Sequence, residues 1–237
     1  MNTTLYHYLA TSSSFPAPMV RNAKRFITNI YLPLPAFIGK ALLFLFLSLR
    51  TTYYFLMRVF FCEPMFKAYC SKVGKNFHTA AKLHWVSGKG SIEIGDDVLL
   101  SGKSSFNFAA RYSANPLLVI GDHCDVGHRC RFVIGKQITI GNHVMIGQEV
   151  NIRDINGHPV NAEARRNDEY LESSEVRPVV IEDDVWIGTG STIGPGISIG
   201  IGSVIAANSV IYSNVPPYSI MGGNPARKMG STQETSD

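Results

Sequence analysis

Ile181-Glu-Asp-Asp-Val-Trp-Ile187-Gly-Thr-Gly-Ser-Thr-Ile193-Gly-Pro-Gly-Ile-Ser-Ile199-Gly-Ile-Gly-Ser-Val-Ile205-Ala-Ala-Asn-Ser-Val-Ile211 carries an isoleucine at every sixth position. A second register holds Ile134, Ile140, Ile146 and Ile152, and a third, looser one holds Ile120, Val126 and Phe132. Glycine repeatedly follows the marked residue, as at Gly121, Gly127, Gly141, Gly147, Gly188, Gly194 and Gly200. An α-helix repeats every 3.6 residues and a strand every two, so neither produces this pattern. A six-residue period belongs to parallel β-helices, where each repeat is one flat face and one corner. The aliphatic residue points into the prism, and three repeats close a coil. Residues eighteen apart then stack at the strand spacing of about 4.8 Å.

Two features outside the repeats divide the chain. Residues 1–89 contain eleven Lys/Arg and one acid, Glu63, for a balance of +10; the rest carry the complementary −6 of the overall +4. Within the basic part, residues 32–61 are dominated by large apolar groups, including Ala41-Leu-Leu-Phe-Leu-Phe-Leu-Ser-Leu49 between Lys40 and Arg50. A bilayer-spanning helix takes about 20 continuous apolar residues. The bracketing cations therefore predict one or two helices in the headgroup region, with cations reaching anionic phosphates. A helix pair packed on the β-helix or on a neighbouring subunit is the alternative. Nucleic acid is a poor partner, because the cations are interleaved with apolar rather than polar groups.

The expected organisation is a basic, apolar helical segment over 1–75, a β-helix domain over 76–230 with a loop projecting over 153–178, and a disordered tail over 231–237. The loop follows from the spacing: after Ile152 the next repeat position is Ile181, and the Arg-, Asn-, Asp- and Glu-rich stretch between them cannot lie inside the prism. Long ordered loops on rigid scaffolds tend to carry function. A shorter polar interruption is expected over 103–116. Four cysteines, with no secretory leader at the start of the sequence, predict a reducing, cytoplasmic setting. Cys124 and Cys130 are six apart and fit inward positions, where packing is their expected role.

Three segments on this frame resemble the hexapeptide-repeat acyltransferases, especially the galactoside/maltose-type sugar O-acetyltransferases and those of surface-polysaccharide biosynthesis. They are Ile152-Arg-Asp-Ile-Asn-Gly-His-Pro159 in the loop, Pro178-Val-Val-Ile-Glu-Asp-Asp-Val-Trp-Ile-Gly188 at re-entry, and Val215-Pro-Pro217 with Gly223-Asn-Pro-Ala-Arg227 at the close. The resemblance covers about residues 90–230. It implies a mainly β, left-handed parallel β-helix assembled as a homotrimer, with acetyl-CoA as co-substrate, a sugar hydroxyl as acceptor and no metal. It makes His158 the general base, a task imidazole suits because its ordinary pKa lies near working pH. Transfer in this family is direct, so no acyl-enzyme is expected.

Asp154, four residues before His158, either fixes the imidazole tautomer or is a turn aspartate bonding its own backbone. Trp186 precedes the inward Ile187 and so points outward, where the family covers it with a neighbouring chain or CoA. Gly188, Thr189 and Ala207 would line the pantetheine arm, and Arg227 with Lys228 would meet a CoA phosphate. Two departures stand out. His128 falls where such enzymes carry an acceptor-contacting asparagine, and is expected as a corner histidine facing solvent. Tyr212-Ser213 replaces the Thr-Lys that often precedes the Pro-Pro turn. Three other readings use the same frame: N-acetylation of an amino sugar, a γ-carbonic-anhydrase-like zinc enzyme using His123, His128 and His84, and a non-catalytic scaffold.

Overall fold

The computed structural model describes residues 3–233 and divides into two compact units, one up to Thr51 and one from Thr52 onward. In the first, helices α1 (Thr3–Thr11) and α2 (Ala17–Thr28) form a hairpin. Tyr8 Oη donates to the Phe15 carbonyl at 3.0 Å, and Arg21 Nη1 donates to the Leu9 and Ser12 carbonyls at 3.0 and 2.7 Å. Helix α3 (Ala36–Met57) crosses the division between the units and buries none of its residues. It runs on through a π-helical turn, Arg58–Cys62, into α4 (Glu63–Lys67), making one continuous helix over Ala36–Lys67. Its length and composition suffice to cross a membrane.

The second unit is the β-helix. Parallel strands stack into three sheets, and successive strands in each sheet are one coil apart. The first face runs Cys70–Val73, Ser91–Ile94, Leu117–Ile120, Gln137–Ile140, Val179–Ile181, Ser198–Ile199. The second carries Asp125–Val126, Met145–Ile146, Trp186–Ile187 and Val204–Ile205, among others, and the third Ser105–Phe108, Arg131–Ile134, Asn151–Arg153, Thr192–Ile193 and Val210–Ile211. The eighteen-residue spacing is realised as Cα partners: Ile181 lies beside Ile199, Ile187 beside Ile205, and Ile193 beside Ile211. All six isoleucines are buried in one core.

The shift between sequence registers has a local cause. Ile120 pairs with Ile140 and Phe132 with Ile152, twenty residues apart rather than eighteen. In the four-residue strand Arg131–Ile134, Phe132 and Ile134 both point inward, as alternation in a strand requires. A face lengthened by two residues moves every later inward position by two. The interruption expected over 103–116 is narrower than that: Ser105–Phe108 is a strand with Phe106 and Phe108 buried, and only residues 109–116 leave the prism. Aromatic residues hold the inward position there, so an aliphatic template misses them. Phe106 stacks on Phe132 with ring centroids 5.1 Å apart.

The two ends of the prism are closed differently. Phe66 of α4 packs on Phe77, His84 and Phe106 at 5.8, 4.7 and 5.3 Å, covering the N-terminal end of the core. At the other end, Ser219–Gly223 pairs antiparallel with Ala226–Ser231. That last strand reaches one residue into the expected tail, of which 234–237 lie outside the described residues.

Cys124 and Cys130 pack inward as expected, each Sγ donating to the next coil, to Gly141 O at 3.1 Å and Gly147 O at 3.2 Å. Burial pushes both thiols up to about 11, leaving almost no thiolate at neutral pH. Both should resist a thiol-specific disulfide reagent at pH 8 in the native protein and react once it is unfolded; rapid native reaction would mean the coils open. Replacing Phe106 with Ala removes one ring of a packed column and should cost about 3–5 kcal/mol in urea unfolding. A loss below about 1 kcal/mol would show that the column is not packed as described.

Candidate active site

The excursion leaves the prism after Asn151–Arg153 and returns at Val179–Ile181, in agreement with the spacing. Its first residue, Asp154, is fully buried. One carboxylate oxygen accepts from the Gly135 amide at 2.6 Å, and the other accepts from the Lys136 and Gln137 amides at 2.7 and 2.8 Å. These three amides form the corner between Arg131–Ile134 and Gln137–Ile140, where the lengthened coil turns. Asp154 therefore satisfies the backbone of the preceding coil. Of the two sequence-level alternatives, it is a turn aspartate in type, but it serves a neighbouring turn rather than its own. No hydrogen bond joins it to His158 among the described residues. Burial pushes its carboxyl up while the three amides hold it down.

Beyond Asp154 the loop is held by a small apolar cluster of Ile155, Leu171 and Val176, against Tyr112 and Val133. Between these anchors a short helix, α5 (Ala162–Arg166), is capped by Asn161, whose side-chain oxygen accepts from the Glu163 and Ala164 amides at 2.8 and 3.0 Å. Arg165 Nη1 then donates to the carbonyls of Pro159, at 3.0 Å, and Val160, at 2.5 Å. The backbone just after His158 is thus fixed from behind while its imidazole stays exposed. The cleft in front measures about 800 Å³ and is walled by Arg111, Tyr112, His158 and Tyr170. Arg111 lies over the Tyr170 ring at 4.1 Å from its centroid. Sequence reading missed Arg111, Tyr112 and Tyr170; the break in the repeats over 109–116 marked the place but not the residues.

The remaining predicted residues gather on another corner, between the second and third faces. Trp186, half exposed, lines a groove of about 310 Å³ with His128, Met145, Gly147, Gln148 and Thr189. His128 is half-buried in this wall rather than facing open solvent, because the outward side chains of adjacent coils, Met145 and Trp186, flank the same corner. Gly188 has no room for a side chain: a Cβ would meet the Ala207 amide nitrogen at 2.5 Å and the Ile205 oxygen at 2.8 Å. The backbone amides of Thr189 and Ala207 donate to no carbonyl among the described residues, although their neighbours Gly188, Gly190 and Asn208 all do. Unclaimed donors therefore repeat at this corner. Further along the same sheet, Arg227 lies beside Gly222 and Lys228 beside Met221, both cations exposed.

The cleft holding His158 and the groove holding Trp186 share no wall residue and lie at different corners. Nor do the histidines of the zinc reading converge. His123 stacks on His143 at 4.8 Å, whereas His84 is packed between Phe66 and Phe106, where burial pushes it down to about 4. Among the described residues no three His, Cys, Asp or Glu side chains are grouped to hold a metal. Asn in place of Asp154 would set a donor against three donors. Asp154→Asn should lower unfolding stability by about 2–3 kcal/mol, and its activity loss should follow the unfolded fraction on warming. Full stability in the variant would remove the carboxylate from the corner.

Residues 178–213 match a family model described as the hexapeptide repeat of succinyl-transferase. Over 121 residues the chain is 38% identical to a Saccharomyces cerevisiae protein named "Putative acetyltransferase YJL218W"; the match covers 51% of this chain and spans 58% of that relative's length. Among solved structures, a hexapeptide-repeat-containing acetyltransferase from Vibrio cholerae superposes with a TM-score of 0.52 at 27% identity, over 79% of this chain and 90% of that one. A galactoside acetyltransferase in complex with coenzyme A gives 0.50 at 26% identity, over 59% and 64%. The repeats and the three-faced coil make the fold a left-handed parallel β-helix of hexapeptide repeats, and these likenesses make the chain similar to hexapeptide-repeat acetyltransferases.

Proposed function

We propose that this chain is an acetyl-CoA-dependent O-acetyltransferase that moves an acetyl group to a sugar hydroxyl, in surface polysaccharide or glycolipid biosynthesis. The observation that carries the reading is a pairing. An exposed imidazole is held on a braced loop, and a corner on the same coils leaves the amides of Thr189 and Ala207 unclaimed. Those amides suit the pantetheine arm, Trp186 covers it, and Arg227 with Lys228 suits the CoA phosphates. The similarity to a galactoside acetyltransferase solved in complex with coenzyme A supports a CoA thioester as the co-substrate. His158 takes the hydroxyl proton as the oxygen attacks the thioester carbonyl. The tetrahedral intermediate collapses to the ester, and the proton goes to the departing CoA thiolate. The raised thiols of Cys124 and Cys130 are consistent with direct transfer, since neither is poised as a nucleophile.

His158 and Trp186 lie on different corners of one chain, so the reading requires a second copy to complete each site. A closed homotrimer does this three times, with the loop of one subunit against the Trp186 corner of the next. The uncovered, largely apolar helix Ala36–Met57, with Lys40 and Arg50 along it, suits contact with the cytoplasmic face of a membrane and a substrate held there.

Purified protein incubated with acetyl-CoA and a panel of sugars, amino sugars, nucleotide sugars and lipid-linked saccharides should release CoA in an acceptor-dependent way. His158→Ala should lower kcat by about 10²–10⁴ while still binding CoA. Turnover that survives in the variant would remove His158 from the mechanism, and preference for an amino sugar would move the acceptor from oxygen to nitrogen. Sedimentation should give a trimer.

A further inference from the structure

The corner that carries Trp186 continues toward the N-terminal coils into a cavity of about 460 Å³ that the proposed chemistry does not use. Ser101 and His128 line both spaces, so the two are neighbours along the corner. Lys82, Lys103 and Arg129 line the new one, together with Tyr54 from the last turn of α3. No carboxylate lines it.

The cations are not there because the backbone asks for them. Lys103, Arg129 and Glu149 occupy equivalent positions on three successive coils, all at left-handed dihedrals with φ of 66°, 62° and 59°. The next two coils fill the same position with Gly190 and Asn208, and another corner fills its left-handed column with Asn76, Asp97, His123, His143 and Asp184. Glycine, Asn and Asp adopt this conformation readily, whereas other side chains meet a penalty of about 1 kcal/mol. Stacking Lys103 next to Arg129 adds repulsion between like charges one coil apart. A single acid answers them: Glu149 pairs with Arg129 at 2.9 Å. Lys82 and Lys103 make no ion pair among the described residues. Asp125, in the adjoining groove, has its carboxyl pushed up by burial. Three cations against one paired carboxylate leave the cavity with a surplus of two positive charges, while Asp125 lines the adjoining groove.

We infer that this cavity binds a phosphate or diphosphate group, and that the acceptor of the proposed reaction is a phosphorylated saccharide held by it. The acceptor role rests on the transferase reading; the anion site does not. The cavity lies on the opposite side of the Trp186 groove from Arg227 and Lys228 along the sheet. Phosphates of CoA at that far end leave this end free for the acceptor. A diphosphate seated here would project its sugar toward the thioester groove. Two carriers share this chemistry, a polyprenyl diphosphate and a nucleoside diphosphate.

Inorganic pyrophosphate, titrated calorimetrically into the full chain saturated with CoA, tests the site directly. Binding should be lost by about 10-fold in the Lys82→Gln/Lys103→Gln variant, whose changes are on exposed side chains. It should be unaffected by Arg227→Ala. No binding by the parent protein, equal binding by the lysine variant, or displacement by CoA would overturn the proposal. In turnover, KM should rise about 10-fold in the lysine variant for a diphosphate-linked saccharide and stay level for the phosphate-free sugar. The arm in which it rises, polyprenyl-linked in detergent micelles or nucleotide-linked, identifies the carrier. An equal KM in both forms for every acceptor would overturn the acceptor role. Pyrophosphate binding without thioester turnover on any acceptor would sink the transferase reading and leave the anion site standing.

Discussion

Each coil of this molecule is hydrogen-bonded to the coil before and the coil after. The Gly147 amide donates to Ile187 O at 2.7 Å, and the Gly188 amide to Ile205 O at the same distance. That ladder determines what any residue can do. A side chain on a face points either into a prism too narrow for anything but packing or out to a surface, and the backbone between coils has no slack. Gly188 shows how little, since even a methyl group there would strike the next coil. Long insertions are accommodated at a corner, where both excursions, over 109–116 and 154–178, leave the prism, while a face takes up no more than the two extra residues of Arg131–Ile134.

The functional geometry follows from that restriction. The excursion over 154–178 is rigid at its root because the carboxylate that begins it serves the adjoining turn, and rigid behind His158 because Arg165 ties the chain back. An imidazole that must meet a substrate benefits from such bracing, because misplacement by an ångström is expensive in rate. The corner carrying Trp186 is equally fixed, but by the ladder itself, and its unclaimed amides repeat with the coil. A rigid rod thus offers two prepared surfaces at different corners, which the proposed function would bring together through a second copy of the chain.

Charge follows the same axis. Within the basic, apolar part of the sequence, α3 leaves its side chains uncovered, and Tyr54 in its last turn lines the cavity beside the first coils. The cations of the corner cavity belong to those coils, while the acids of the chain are concentrated beyond them. An anionic acceptor would meet the positive end of the corner groove, and CoA the basic hairpin at the other.

The fold was legible in the sequence because the repeat is a one-dimensional code: each inward position is independent of distant ones, so Ile181 to Ile211 could be placed on faces by counting. The outward placing of Trp186 and the length of the excursion were legible for the same reason, since a loop must occupy what the count leaves over; His158 was singled out by the resemblance of its loop, not by counting. Counting failed where two residues shared a face, as at Phe132 and Ile134, and where Phe106 took an aliphatic position, because inwardness depends on the strand and not on the residue type. What Asp154 does, why His128 is half-buried, and which walls face His158 were decided by contacts between coils or between two excursions. So was the assembly of Lys82, Lys103 and Arg129 into one cavity. These residues lie twenty or more apart, and only the stacking of coils at a fixed rise brings them together.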